Sequence, residues 1–77
     1  MKITLLVFGQ LSDITLQSEL EIVDVKNTDE LNKKLADNFP KLSAIKYTMA
    51  INKNIVQENT MLYDGDRVAL LPPFSGG

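Results

Sequence analysis

Residues 67–73 read RVALLPP. In an extended chain Val68 and Leu70 point to one face and Ala69 and Leu71 to the other. Both faces are apolar, which places this strand at the centre of its sheet and not at an edge. Pro72 and Pro73 carry no amide proton, so the strand ends there. They also hold the chain close to polyproline geometry, so the residues that follow are expected to project from the body. Those residues are Phe74, Ser75, Gly76 and Gly77. The two glycines have no side chains and fit a channel only as wide as a backbone, with the terminal α-carboxylate of Gly77 at the tip. The expected organisation is a domain over 1–72 and an extended tail over 73–77.

Upstream, Asp64-Gly65-Asp66 has the composition of a turn. At the other end of the chain, KITLLVF (2–8) reads as a first strand, with Ile3, Leu5 and Val7 on one face and Lys2, Thr4, Leu6 and Phe8 on the other. The second face becomes apolar at Leu6 and Phe8. Either the fold covers these two, or a partner does. Gly9 to Asp13 reads as a loop, and ITLQSELEI (14–22) as a half-buried strand with Ile14, Leu16, Leu20 and Ile22 inward, forming a hairpin with the first. Asn27 followed by Glu30 matches a capping box. Asp29 and Glu30 suit the positive end of a helix, and Leu31, Leu35 and Phe39 form its apolar stripe. Glu30 and Lys34 have the spacing of a solvent-side ion pair. Pro40 closes the helix. IKYTMAIN (45–52) alternates as a third strand, Asn52-Lys53-Asn54 turns, and Ile55-Val56 forms a short fourth.

One helix of about three turns covers one face of such a sheet. Laying Leu31, Leu35 and Phe39 on the Ile3–Leu5–Val7 face, with first and last strands parallel neighbours at the centre, gives an α+β fold. It is the β-grasp arrangement of ubiquitin-like proteins: a mixed four- to five-stranded sheet with one main helix on one face.

Composition narrows the chemistry. The 77 residues include no cysteine and no histidine. Disulfides, zinc-finger spacing and a thiol or imidazole catalyst are therefore absent, and no metal site is expected. A self-sufficient enzyme is not the expected reading. The net charge is −2, and the basic residues are scattered without interleaved aromatics, so nucleic acid is not an expected partner. The opening apolar run is broken by Gly9, Gln10, Ser12 and Asp13 before it forms a signal peptide or a membrane span. A soluble, cytoplasmic protein is expected.

The segment LYDGDRVALLPPFSGG resembles the C-terminal signature of the small subunits of molybdopterin synthases, which are ubiquitin-like sulfur carriers. The matching features are Asp64-Gly65-Asp66, the apolar strand Val68–Leu71, Pro72-Pro73, a variable residue (Phe74), Ser75 and Gly76-Gly77. Phe8-Gly9-Gln10-Leu11, Ala50-Ile51-Asn52 and Ile55-Val56 are also similar. Phe74 stands where a smaller β-branched residue is more usual, and the loop after Gln10 lacks a common basic residue.

The resemblance implies that an activating enzyme joins the Gly77 carboxylate to AMP at the expense of ATP, after which sulfur replaces the adenylate to leave a thiocarboxylate. No permanently bound cofactor is implied. The tail then enters the large subunit, which supplies the catalytic lysine or arginine residues, and sulfur passes to a cyclic pyranopterin monophosphate. The family assembles as a heterotetramer of two large and two small subunits. On this reading Gly77 is the acceptor, Gly76 and Ser75 thread the channel, and Pro72, Pro73 and Phe74 line its mouth. Phe8, Leu6 and Leu71 form the docking patch. Other readings are the sulfur carrier of thiamine thiazole synthesis, a ubiquitin-like protein modifier, and a regulatory β-grasp module with an idle tail.

Overall fold

In a computed structural model that describes residues 1–73, the central pairing joins the two ends of the chain. Strand β1 (Lys2–Val7) lies parallel to β5 (Arg67–Leu71), with Thr4 opposite Arg67 and Val7 opposite Leu70. The Asp64–Asp66 turn sets this register. The Lys2 amide donates to Asp64 Oδ1 at 2.8 Å, the Gly65 amide to the Lys2 carbonyl at 2.8 Å and the Thr4 amide to the Asp66 carbonyl at 2.9 Å. Gly65 turns with φ +85°, a conformation that favours glycine. The sheet order is β2-β1-β5-β3-β4, with β2 (Glu19–Val23), β3 (Thr48–Ile51) and β4 (Asn54–Val56) joined antiparallel to their neighbours. The strand with two apolar faces is thus the middle one, as its sequence requires.

The main helix, α2 (Thr28–Asn38), packs on one face. Ile3, Leu5, Leu31, Leu35, Val68 and Leu70 are fully buried in one cluster. Its N-terminus is well supplied with acceptors. Asn27 Oδ1 takes the Glu30 amide at 2.9 Å, and Asn59 Oδ1 takes the Asp29 amide at 2.9 Å. Glu30 returns its carboxylate to the Lys26 amide, one residue before the cap. These bonds satisfy donors that a helix start otherwise leaves orphaned. Past Pro40 the chain adds a 3₁₀ turn (Pro40–Ala44), which carries Leu42 into the core. Among the described residues, no helix is long and apolar enough to cross a membrane.

Three expectations from the sequence are corrected. The strand expected over 14–22 begins only at Glu19; Leu11–Thr15 form a short helix, α1. Leu11, Ile14 and Thr15 follow helical spacing, with Leu11 fully buried and Ile14 packed against the core. Ile14, Leu20 and Ile22 face inward as expected, but Thr15 and Leu16 exchange places. Thr15 is buried, its hydroxyl donating to the Gln17 carbonyl at 2.6 Å, while Leu16 ends the helix at φ 63° and is 84% exposed. Second, Lys34 does not pair with Glu30. Its Nζ donates to the Val23 carbonyl at 2.6 Å, tying α2 to β2, while the Glu30 carboxylate is held by the Lys26 amide. Third, β3 starts at Thr48, because the 3₁₀ turn and its exit occupy the residues before it.

The end of β5 meets the start of the β1–α1 connection. The Phe8 amide donates to the Leu70 carbonyl at 3.1 Å, so the parallel ladder reaches the last residues of β5. Gly9 follows at φ +58°, and a Cβ built there would lie 3.0 Å from Pro72 Cγ. The proline ring therefore rests on the bare glycine backbone. Two stability effects are expected, both measurable by urea unfolding. Asn27→Ala removes a cap acceptor and costs about 1 kcal/mol. Gly9→Ala meets both the left-handed backbone and the proline ring and costs about 1 kcal/mol or more.

Candidate functional site

Among the described residues, no helix crosses the face of the sheet opposite α2. One row of paired residues crosses all five strands on this side: Glu19, Leu6, Ala69, Ala50 and Ile55. The two alanines at its middle have little side chain to raise above the backbone. A shallow hollow of about 620 Å³ results, lined by Leu6, Phe8, Ala50 and Ala69, with Asn52, Lys53 and Arg67 as its polar border. Phe8 is 47% exposed and Ile55 62%, large values for apolar side chains. Leu71 is half-buried and belongs to the same side of β5 as Ala69, opposite Thr48 of β3.

Local chemistry explains how the polar border is held. The β3–β4 hairpin turns on Asn52 and Lys53, both at positive φ (48° and 74°). Two consecutive left-handed residues give a turn whose twist matches that of the strands. Asn52 also acts across to β5. Its amide donates to the Arg67 carbonyl at 2.8 Å, its Oδ1 accepts the Arg67 amide at 3.1 Å, and its Nδ2 donates to Asp66 Oδ1 at 3.0 Å. The cations of Lys53 and Arg67 therefore border the hollow on its β3–β5 side. On the far side, β2 presents Glu19 and Glu21, the latter paired with Lys2 at 3.3 Å. That pair is exposed at both ends and adds little stability.

Of the residues singled out in the sequence, Leu6, Phe8 and Leu71 fall on this one face, and Pro72 and Pro73 leave from its central strand. Phe74, Ser75, Gly76 and Gly77 lie outside the described residues. Four contributors escaped the sequence reading. Ile55 joins the row only through the β3–β4 pairing, and its three-residue strand carries too little alternation to assign a face. Ala50 is small enough to be read as filler. Gly9 reads as an ordinary loop residue, and nothing local links it to Pro72. Arg67 reads as one of the scattered basic residues until β3 is laid beside it.

Among the described residues there is no group of carboxylates able to hold a metal ion. On the helix side, burial pushes the Tyr47 phenol above its ordinary range, and its hydroxyl donates to Asn32 Oδ1 at 2.6 Å. What the open face offers is a preformed apolar surface beside the exit of the C-terminal segment. Leu6 and Phe8 lie beside the chain as it leaves β5, the Phe8 amide bonding to the Leu70 carbonyl.

Known proteins share this plan. The model of the ThiS family matches residues 5–77. A molybdopterin synthase sulfur carrier subunit from Mycobacterium tuberculosis is 32% identical over 81 aligned positions, which span 99% of this chain and 98% of that protein. A Helicobacter pylori structure described as the complex of subunits 1 and 2 of molybdopterin-converting factor contains a chain that is 28% identical, with full coverage of both chains and a TM-score of 0.74. The small archaeal modifier protein 1 of Methanosarcina acetivorans shares the fold, with a TM-score of 0.85 at 23% identity over 99% of this chain and 96% of that one. A ubiquitin-like β-grasp body with a Pro-Pro exit from its central strand, matched along nearly its whole length, makes this chain a member of the ThiS family.

Proposed function

We propose that this protein is the sulfur-carrying subunit of a molybdopterin synthase and that the backbone end at Gly77 is its working group. The observation that carries the reading is an apolar open face beside the point where Pro72 and Pro73 leave the central strand, with Phe74-Ser75-Gly76-Gly77 next in the sequence. The carrier-subunit relative, aligned over 99% of this chain, supports it.

A carboxylate is a poor acyl electrophile, being anionic and lacking a good leaving group. Attack of the Gly77 carboxylate on the α-phosphate of ATP, in an activating enzyme, releases pyrophosphate and forms an acyl-adenylate. A sulfur nucleophile then displaces AMP and leaves the thiocarboxylate. That sulfur is soft and nucleophilic without any thiol side chain, which suits a chain with no cysteine. Residues 1–72 form the carrying body and 73–77 the probe. Gly76 and Ser75 thread the partner's channel, and Pro72, Pro73 and Phe74 stand at its mouth. The large subunit docks on Phe8, Leu6 and Leu71 and supplies the catalytic cations, so this chain alone is not an enzyme. The sulfur passes to cyclic pyranopterin monophosphate. A dithiolene needs two sulfurs, hence two charged carriers per product, which a heterotetramer with two small subunits supplies.

Intact-mass analysis tests the chemistry. After incubation with an activating enzyme, ATP and a sulfur source, the protein should show one oxygen-to-sulfur exchange mapping to Gly77. The label should be lost on adding the large subunit and the pterin. Adducts on lysines of other proteins, in place of thiocarboxylate turnover, would instead assign the chain as a protein modifier. Docking is tested separately by calorimetry with the large subunit. Phe8→Ala is expected to weaken binding by more than about 1 kcal/mol, as for an apolar interface anchor; unchanged affinity removes Phe8 from the interface.

A further inference from the structure

The open face divides its charge between two sides. Glu19 and Glu21 stand on the β2 edge, while Arg67 and Lys53 border the hollow on the β3–β5 side. The register places these charges at matching heights. Glu21, Thr4 and Arg67 are successive partners in one row across β2, β1 and β5, and Asn52, bonded to Arg67, brings Lys53 to the end of that row. The neighbouring row sets Leu6 beside Ala69 and Ala50, a large apolar side chain next to low ground. Lys2 does not withdraw Glu21 from this pattern, because their ion pair is exposed at both ends and therefore weak.

We propose that a second copy of this chain occupies the open face, the two copies meeting about a two-fold axis that runs along the strands at the β1–β5 boundary. Such an axis keeps each row at its own height and exchanges the two sides. β1 of one copy then lies over β5 of the other, and β2 over β3. Leu6 enters the low ground at Ala69 of the other copy, and because each copy supplies both residues, the fit is made twice. Glu21 comes over the hairpin end of the other copy's β3, against Lys53, with Arg67 one strand away, about 4.8 Å to the side. An axis across the strands would instead lay the acidic side of one copy on the acidic side of the other, and like charges opposed across an interface are costly. The charge pattern thus selects one orientation. Two sheets packed face to face lie about 10 Å apart, a gap that Leu6 and Phe8 fill from both copies. Five strands, each about 17 Å long, give a face of roughly 400 Å² in projection. That is small beside the about 800 Å² each partner gives to a standard interface, so the dimer is weak and reversible. Pairing shields Leu6 and Phe8 from water until a stronger partner takes the face. On the sulfur-carrier reading that partner is the large subunit, and self-pairing and docking exclude each other; this consequence alone rests on that reading.

The test uses the isolated full chain. Sedimentation velocity from micromolar to millimolar concentration should pass from monomer to dimer, and added salt should weaken the association. In a mixture of differently labelled copies, isotope-filtered NOE spectra should connect the Leu6 methyls of one copy to the Ala69 methyl of the other. Leu6→Asp, with native folding checked by circular dichroism, should stay monomeric throughout. Glu21→Lys should weaken the dimer roughly tenfold, and Lys53→Glu in the same chain, which restores the net charge, should recover most of that loss. A wild-type chain that is monomeric at millimolar concentration overturns the proposal. So does a dimer that survives Leu6→Asp, which places the contact on another surface, or a Glu21→Lys defect that Lys53→Glu does not repair, which denies the orientation. Failure to self-associate in a chain that still forms thiocarboxylate at Gly77 removes this inference and keeps the carrier reading; self-association without sulfur loading does the reverse.

Discussion

The parallel ladder between β1 and β5 is the constraint on which the rest of the molecule depends. It brings together residues from the two ends of the chain, so the loop that closes it spans nearly the whole sequence. Closing so long a loop is entropically costly, and the cost is offset by burial at the ladder itself: Ile3, Leu5, Val68 and Leu70 are fully excluded from water. The Asp64–Asp66 turn fixes the register by bonding to Lys2 and Thr4 before β5 begins. A slip of one residue would expose Val68 and Leu70 and bury Ala69 and Leu71 instead. It would also move Pro72 off Gly9. The direction in which the chain leaves the body is therefore set by the same contacts that stabilise the core.

A single long helix then divides the sheet into two unlike surfaces. On its own side the helix is fastened at both flanks. Asn27 and Asn59 hold its first turn, and Lys34 reaches the Val23 carbonyl of the edge strand. Among the described residues, the other side has no second layer, and its composition fits that. Ala50 and Ala69 keep the middle low, Leu6 and Phe8 supply apolar area, and Arg67 and Lys53 sit at the border. An interface with an apolar centre and a charged margin is the usual anatomy of a protein docking surface. Under the proposed function, its place beside the end of β5 would link docking to the C-terminal segment.

Much of this was legible in the sequence because the signals were local and strong. RVALL is apolar on both faces and could only be central. The Asn27–Glu30 cap, the Leu31–Leu35 spacing and Pro40 bounded a helix by rules that act within four residues. Phe8 and Leu6 stood out as apolar residues on an otherwise polar face. Failures came where two periodicities coincide. Leu11, Ile14 and Thr15 fit a helix, while Ile14, Leu16, Leu20 and Ile22 fit a strand, and the choice fell to packing: Leu11 enters the core, and only a helical turn brings Ile14 and Thr15 with it. The Glu30–Lys34 spacing permitted a pair, yet the Lys26 amide and the Val23 carbonyl, both supplied by the chain leading into the helix, claimed the two side chains separately.

The sequence by itself determined the α+β class, the central strand, the helix with its cap, and a Pro-Pro segment leading to Gly-Gly. Each follows from backbone chemistry or from a pattern short enough to read in one window. Tertiary structure alone decided that Gly9 supports Pro72, that Ala50, Ala69 and Ile55 share a face with Leu6, and that a groove opens where Pro73 emerges. These relations join residues far apart in the chain. Their geometry exists only once the strands have paired, because no local preference of either partner encodes the distance between them.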